Sequence, residues 1–167
     1  MLLEAVAGLS EEQQCFQCAA DRWSVANCVE HVTVVEGNIL RNIQKLLQAP
    51  PPAEKPDTAG KDQMILERVP ARATRVKGPA AAMPQGRWPN FDELLREFEA
   101  TRERTHAFAA TTDGDLRAFA FPHPFLGPLD GYQWLLFLAA HCERHVRQME
   151  EVKSDPGFPK HSEAAPA

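Results

Sequence analysis

The segment SVANCVEHVTVVEGNILRNIQKLLQAPPP, residues 24–52, carries the pattern that decides the fold. Its apolar side chains recur at spacings of three and four residues, which places them along one side of an α-helix. They are Cys28, Val32, Val35, Ile39, Ile43 and Leu46. Ser24 precedes this stripe as a candidate N-cap, because its hydroxyl can accept a backbone N–H of the first turn. The prolines at 50–52 end the pattern, since a proline inside a helix costs about 3 kcal/mol. We therefore predict an amphipathic helix over about residues 24–48.

Fourteen prolines limit where further long helices can form. They leave three proline-free stretches, at 1–49, 90–121 and 129–155. The first stretch has room for a short helix at 2–7 ahead of the helix at 24–48. We expect helices in all three stretches and long helices nowhere else.

Helix-start signals open the second and third stretches. Asn90 is followed three residues later by Glu93, and Asp130 by Gln133, which is the spacing of a capping box. Apolar residues at helical spacing follow each start, and we find no convincing run of alternating strand residues. These observations predict an all-α fold, a four-helix bundle in which a long ordered crossover, residues 49–89, connects helices two and three.

The chain of 167 residues has the size and composition of one globular domain. We assign this domain to residues 1–155 and a C-terminal tail to residues 156–167. A net charge of -5 is unfavourable for a protein that binds nucleic acid through phosphate attraction. The longest apolar run, WLLFLAA at 134–140, is too short to cross a membrane, and the first ten residues lack the basic region of a secretory signal. We therefore expect a cytoplasmic protein without nucleic-acid or membrane partners.

Three of the six histidines are candidates for a metal site. His141 and His145 are four residues apart, which places them one turn apart on one face of a helix. That face also carries Leu138 and Cys142, so both rings should point inward, and His31 lies on the buried side of the helix at 24–48. Three imidazoles that face one interior can hold a divalent metal ion and leave a coordination position open. The alternative is three core histidines, although burying titratable rings side by side is costly without compensation.

Two sharper metal motifs do not fit these histidines. The zinc-protease pattern HExxH needs a glutamate directly after the first histidine, but Cys142 follows His141. Carboxylate-bridged di-iron bundles need glutamate three residues before histidine on two helices. Position 28 before His31 is cysteine, and position 138 before His141 is leucine. What remains is a mononuclear histidine site, with no general base or other catalytic residue fixed by spacing.

Other residues of the same helices could line the pocket of this site. Arg144 could flank it and meet an anionic substrate, and the alternative is a solvated helix face or an interface. Cys28 and Cys142 lie on the apolar stripes as small core residues close to the site. Glu30 or Glu36 could accept a hydrogen bond from an imidazole N–H. Without an export signal, we expect the thiols to be reduced.

The remaining cysteines and histidines are given structural interpretations. Cys15 and Cys18 form an isolated C-x-x-C pair, whereas a zinc knuckle needs a second pair. We interpret them as semi-buried thiols at a helix junction. His123 lies in a proline-rich loop, His106 on a helix surface and His161 in the tail.

Several of these segments also carry a family resemblance. DRWSVANCVEHV at 21–32 is similar to the Trp-Ser…His signature that opens helix two of the DinB/YfiT-like superfamily. HPFLGPLDGYQWLLFLAAHCERHVRQMEEV at 123–152 is similar to the last helix of these proteins, with its loop and paired histidines. RVKGP at 75–79 and GRWPNFDELL at 86–95 resemble one subgroup. Asn27 departs from the pattern, because relatives often have an acidic residue there.

The resemblance implies both an architecture and a chemistry. It implies a four-helix bundle with a long connection, often paired as a homodimer. It also implies a divalent metal ion held by His31, His141 and His145. Neutral nitrogen ligands suit several such ions, and we expect zinc or nickel first and iron third. Some relatives transfer low-molecular-weight thiols such as bacillithiol or mycothiol, and others are regarded as metal-dependent hydrolases.

We therefore expect a metal-dependent enzyme, S-transferase-like or hydrolase-like. Its partners would be a low-molecular-weight thiol and a small electrophilic substrate, and this expectation rests on analogy with the family. The alternative is a non-catalytic metal-binding module that serves in a stress response or in dimerisation.

Overall fold

The protein is mostly helical. The structure, a computed structural model, describes residues 1–50, 52–72 and 78–160. The elements within these residues are α1 Leu2–Val6, α2 Glu11–Cys15, α3 Val25–Leu47, α4 Lys61–Arg68, a 3-10 turn Ala80–Ala82, α5 Phe91–Thr111, β1 Ala120–His123, β2 Gly127–Asp130 and α6 Gly131–Lys153. The all-α class predicted from the sequence is broadly confirmed. Each helix in the described ranges is too short or too polar to span a membrane.

The three long helices begin where their capping residues predict. Ser24 accepts the backbone N–H of Asn27, and the Asn27 side chain accepts the backbone N–H of Ser24. Asp130 and Gln133 form the same reciprocal pair at the start of α6. Asn90 accepts a backbone N–H in the first turn of α5. Each such cap stabilises its helix by about 1 kcal/mol and marks the residue at which the helix begins.

A β-hairpin replaces the loop that the sequence predicts before α6. Strands β1 and β2 pair antiparallel, with Phe121 opposite Leu129 and Pro122 opposite Pro128. Strands of four residues that contain prolines carry no readable alternation, which is why the sequence pattern missed them. Helix α2, which the sequence pattern does not predict, also forms, and Ser10 caps it.

The beginning of the expected C-terminal tail packs against α2. The Gln13 side chain donates a hydrogen bond to the Pro159 carbonyl at 2.8 Å. The ring of Phe158 meets Phe16 edge-on, with 5.5 Å between ring centroids. Phe158 and Pro159, beyond the end of α6, therefore pack against the end of α2.

Two clusters of buried apolar side chains lie along α3. The first core cluster joins the early part of α3 to the early part of α5 and the late part of α6: its members include Val25, Val29, Val32, Leu94, Phe98, Met149 and Val152. The second core cluster joins the later part of α3 to the early part of α6: its members include Ile39, Ile43, Ile65, Trp134, Phe137 and Leu138. Helix α3 therefore runs parallel to α5 and antiparallel to α6.

The candidate histidines lie where the two core clusters meet. On α3, His31 adjoins Val32, the last α3 member of the first core cluster. On α6, His141 lies between Ala140 of the second core cluster and Cys142 of the first. The fold thus places imidazoles at mid-height between two apolar layers.

Candidate metal centre

The structure brings His31, His141 and His145 together between α3 and α6. The Nε2 atom of His141 lies 3.2 Å from Nε2 of His31 and 3.1 Å from Nε2 of His145. All three residues are buried, with exposed fractions of 4%, 9% and 6%. Metal–nitrogen bonds of about 2.0–2.1 Å at tetrahedral angles would separate their nitrogens by about 3.3 Å. The two measured separations are close to that value.

The backbone fixes the proton of His31. Its Nδ1 lies 2.7 Å from the carbonyl oxygen of Ala82, in the 3-10 turn. A carbonyl only accepts hydrogen bonds, so Nδ1 carries the proton and Nε2 presents a lone pair. The acceptor is therefore a backbone carbonyl, and neither Glu30 nor Glu36 takes the role that the sequence interpretation considered for them.

The three Nε2 atoms make two close contacts, and neutral imidazoles cannot turn both of them into hydrogen bonds. A proton on Nε2 of His141 can point to only one of its two neighbours. Without that proton, Nε2 of His141 meets the lone pair of His31 at 3.2 Å. Nδ1 of His145 is also buried and forms no hydrogen bond within the described residues. A cation enclosed by three bare nitrogens would remove the conflict between the Nε2 atoms, so the donor set fits a divalent metal ion.

Burial and mutual repulsion keep the three rings neutral. Burial lowers the pKa of His31, although the Ala82 carbonyl opposes this shift. Burial, followed by the charges of His145 and His31, brings the pKa of His141 well below its usual value. The pKa of His145 is likewise well below its usual value because of burial, with His31 and Arg144 adding to the effect. Since metal binding requires deprotonated ligands, the site is in the right state at neutral pH.

Aromatic rings enclose the histidines on two sides. The indole of Trp23 stacks on His145 at 5.8 Å and tilts against His31 at 4.8 Å, between centroids. The ring of Phe137 stacks on His141 at 5.1 Å. Apolar walls of this kind exclude water and strengthen electrostatic interactions inside the site.

Cys28 and Cys142 are buried core residues, as the sequence predicts, and Arg144 contacts the chain after α4. Cys28 lies in the first core cluster, where burial raises its pKa to about 12. Burial also raises the pKa of the Cys142 thiol. Arg144 donates hydrogen bonds to the carbonyls of Val69 and Ala71 and so holds the chain just after α4. Both thiols therefore stay protonated, and the candidate metal group in the described part of the chain contains the three histidines.

His123 packs near the site without joining it. Its ring meets Phe137 edge-on at 4.7 Å, and its Nδ1 accepts the backbone N–H groups of Phe125 and Leu126. Burial lowers its pKa to about 4. The packing role expected from the sequence is present, although His123 ends strand β1 rather than lying in a loop. Phe137 therefore separates His123 from His141.

The other singled-out residues lie outside the centre. His106 is exposed on α5, as expected. Glu103, three residues earlier, gives a Glu-x-x-His spacing on this helix, but it is exposed as well. Cys15 is exposed, Cys18 is partly buried, and both are free thiols. His161 lies outside the described residues, as does most of the RVKGP motif.

Sequence reasoning missed three features of the centre. Ala82 contributes only its backbone carbonyl, and since every residue has one, the sequence gives no sign of this role. Gly78 lies so close to His31 that an added Cβ would sit 3.5 Å from its Cε1, and only a known packing partner could have revealed this. Trp23 belongs to the family motif, but its contact with His31 and His145 was not predicted. Its position directly before the Ser24 cap was the signal that it lies beside the first turn of α3.

Comparisons with known proteins agree with the resemblance noted above. The family model of the DinB superfamily matches residues 1–149. The uncharacterized protein YuaE of Bacillus subtilis (strain 168) is 26% identical over 147 residues, which cover 87% of this chain and 86% of YuaE. No solved structure matches the chain.

Proposed function

The chain belongs to the DinB superfamily, and from that premise we propose that it is a metalloenzyme with one divalent ion held by His31, His141 and His145. The observation that carries this proposal is the convergence of three buried Nε2 atoms whose close contacts neutral imidazoles cannot all bridge. The neutral state of the rings supports it further, because protons do not compete for the nitrogens near pH 7.

We also propose that a four-helix bundle holds the site. We regard α1, α3, α5 and α6 as the four helices of a bundle within a single domain, residues 1–155. Since α3 and α5 run parallel, the chain between them must return along the full height of the bundle. The burial of Ile65 and the bond from His31 to Ala82 support an ordered crossover rather than a linker.

Three neutral nitrogen ligands suit zinc or nickel, with iron as a further candidate. When bound, such an ion supplies Lewis-acid activation and lowers the pKa of a water molecule or thiol at its open position. The protein's part is to keep the rings neutral, to hold His31 through Ala82 and to exclude water with Trp23 and Phe137.

Thiol transfer is the reaction that we favour over hydrolysis. The candidate metal group contains no carboxylate within the described residues that could act as a general base for water. A thiol, with a pKa of about 8.5, needs far less help to ionise than water, with a pKa of about 15.7. Because Cys28 and Cys142 stay protonated in the core, the reacting thiol would come from a low-molecular-weight cosubstrate that attacks a small electrophile.

Metal analysis combined with a thiol panel tests the proposal. We expect about one zinc, nickel or iron ion per chain in the wild type, and little in His141→Ala. His106→Ala is the matched control, because it removes an exposed imidazole from another helix and should keep the metal. The loaded protein is then incubated with an electrophile and each small thiol, and we expect turnover that is lost in His141→Ala only.

Each other outcome has a definite meaning. Equal metal contents in the wild type and His141→Ala would refute the histidine site. Metal without thiol turnover, but with hydrolysis of an ester panel, would replace transfer by hydrolysis. Metal with neither activity would favour the non-catalytic metal-binding module.

A further inference from the structure

The carboxylate of Glu30 forms a buried anchor beside the metal centre. Glu30 precedes His31 on α3, and its side chain is only 5% exposed. It accepts the backbone N–H of Gln85 at 2.8 Å and that of Gly86 at 2.9 Å. Gly86 has φ +68°, a left-handed conformation that suits glycine, at the point where two successive N–H groups turn toward one carboxylate. The anchor is therefore built from the backbone on one side and α3 on the other.

Arg87 completes this anchor from the same segment. Its guanidinium donates to Glu30 at 2.5 Å. It also donates to the carbonyls of Met83 at 2.9 Å and Ala81 at 3.1 Å. Glu30 and Arg87 thus hold the segment 81–87 against α3 at several points, and we call this pair with its bonds the Glu30–Arg87 clamp.

The same segment supplies the hydrogen-bond acceptor of His31. Ala82, which accepts from His31 Nδ1 at 2.7 Å, lies between the two residues whose carbonyls Arg87 binds. The position of the Ala82 carbonyl therefore depends on the clamp. That carbonyl in turn decides which nitrogen of His31 carries the proton and how the ring is turned.

We propose that Glu30 and Arg87 are positioning residues for the metal centre, which hold the Ala82 carbonyl so that His31 presents a bare Nε2 to the ion. This inference rests on the proposed metal site for its effect on affinity. Its effect on the proton of His31 belongs to the protein alone and can be measured without metal.

Substitutions at both ends of the clamp test the inference. Glu30→Gln replaces an acceptor by an amide whose NH₂ faces N–H donors, and Arg87→Met removes the guanidinium at similar length. The control is Glu97→Gln, which also loses a carboxylate paired with an arginine, Arg104, but on α5. For each protein we would measure Zn²⁺ affinity by competition with a chelator, and the imidazole ¹⁵N shifts of the metal-free form.

Wild type and Glu97→Gln should show one His31 tautomer, with the proton on Nδ1. We expect Glu30→Gln and Arg87→Met to weaken Zn²⁺ binding by about 10–100-fold. Both should also give a mixture of His31 tautomers in the metal-free form. Arg87 is 27% exposed at its side chain, so Arg87→Met keeps the test valid if Glu30→Gln does not fold.

Two results would overturn the inference. One is wild-type Zn²⁺ affinity in folded Glu30→Gln and Arg87→Met, while His31→Ala loses the metal, because then the site exists without help from the clamp. The other is an unchanged Nδ1–H tautomer of His31 in both variants. A wild type that binds none of Zn²⁺, Ni²⁺ and Fe²⁺ would instead refute the proposed function, and the tautomer measurement would still decide the role of the clamp.

Discussion

Helix α6 carries two buried polar clusters, and they differ in whether the protein satisfies its own polar atoms. At the start of the helix, Asp130 is fully buried and accepts from the Gln133 backbone, the Thr58 hydroxyl and Arg117 at 2.8, 2.8 and 3.0 Å. About three turns later, the imidazoles of the metal centre crowd together with contacts that their own protons cannot all bridge.

The difference separates a cluster that stabilises the fold from one that awaits a ligand. A polar network with every member paired is self-sufficient, and it locks α4 and the chain before it onto α6. A cluster of buried nitrogens without enough protons for hydrogen bonds lowers the stability of the fold. Binding of an ion between the nitrogens offsets this loss. The two clusters are alike in burial and polarity. They differ in whether each polar atom has a hydrogen-bond partner.

The largest expected effect comes from breaking the self-sufficient cluster. Asp130→Ala removes a helix cap and charge-assisted hydrogen bonds, and should lower the free energy of unfolding by about 3–4 kcal/mol. Urea denaturation measures this loss. Asp62→Asn is the control in the same network: Asp62 also pairs with Arg117, but its side chain is 42% exposed, so it should lose less than about 1 kcal/mol. Equal losses in the two variants would contradict the distinction.

The second effect should appear only at the histidine cluster. Free metal at a hundredfold excess over its dissociation constant should stabilise the wild type by about 2.7 kcal/mol. His145→Ala should lose this gain, while Asp130→Ala, although less stable, should keep it. Thermal denaturation with and without Zn²⁺ makes the measurement. If Asp130→Ala lost the gain as well, the two clusters would act as one.

The smallest effect, counted for a single residue, is the stability that each histidine ring of the cluster costs in mild acid. The pKa of each clustered histidine is lower in the folded protein than the value of about 6.5 in the unfolded chain. Well above pH 6.5 both states are neutral and the protein keeps its full stability. As the pH falls below 6.5, the unfolded chain takes up protons that the folded one refuses, so each neutral ring costs about 1 kcal/mol per pH unit.

Urea denaturation of the metal-free protein between pH 7.5 and 5.5 tests this slope. His145→Phe should reduce it, because one titrating ring is gone. Asp62, in the other cluster, should not contribute in this range: the Arg117 hydrogen bond lowers its pKa, so the stabilisation that it provides fades only below about pH 4. A flat stability from pH 7.5 to 5.5 would mean that the rings are not kept neutral.

The long helices could be predicted because their signals are local. Proline spacing bounded them, and the caps Ser24 and Asp130 lie where backbone N–H groups need acceptors. The pair His141 and His145 was equally readable, since a helix places residues four apart on one face. His31 could be assigned to the buried side of its helix by the same periodicity.

The features that could not be predicted depend on tertiary packing. The pairing of His31 with His141 depends on how α3 packs along α6, which the family resemblance indicated but the spacing did not. The carbonyl of Ala82 and the closeness of Gly78 come from a connecting segment without periodicity. The hairpin was missed because strands with prolines carry no alternation, and the role of Arg144 depends on where α4 ends.

The contact between His31 and His141 joins positions 110 residues apart in the chain. An ion held by both would act as a reversible cross-link that closes a loop of this size. A covalent cross-link that closes such a loop stabilises the folded state by about 4–5 kcal/mol in the chain-entropy model, because it lowers the entropy of the unfolded chain. His141 and His145, one turn apart, can meet in an isolated helix, but the third nitrogen arrives only after α3 has docked. Metal capture would therefore come late in folding, and only molecules that have completed the longest-range contacts would hold the ion firmly.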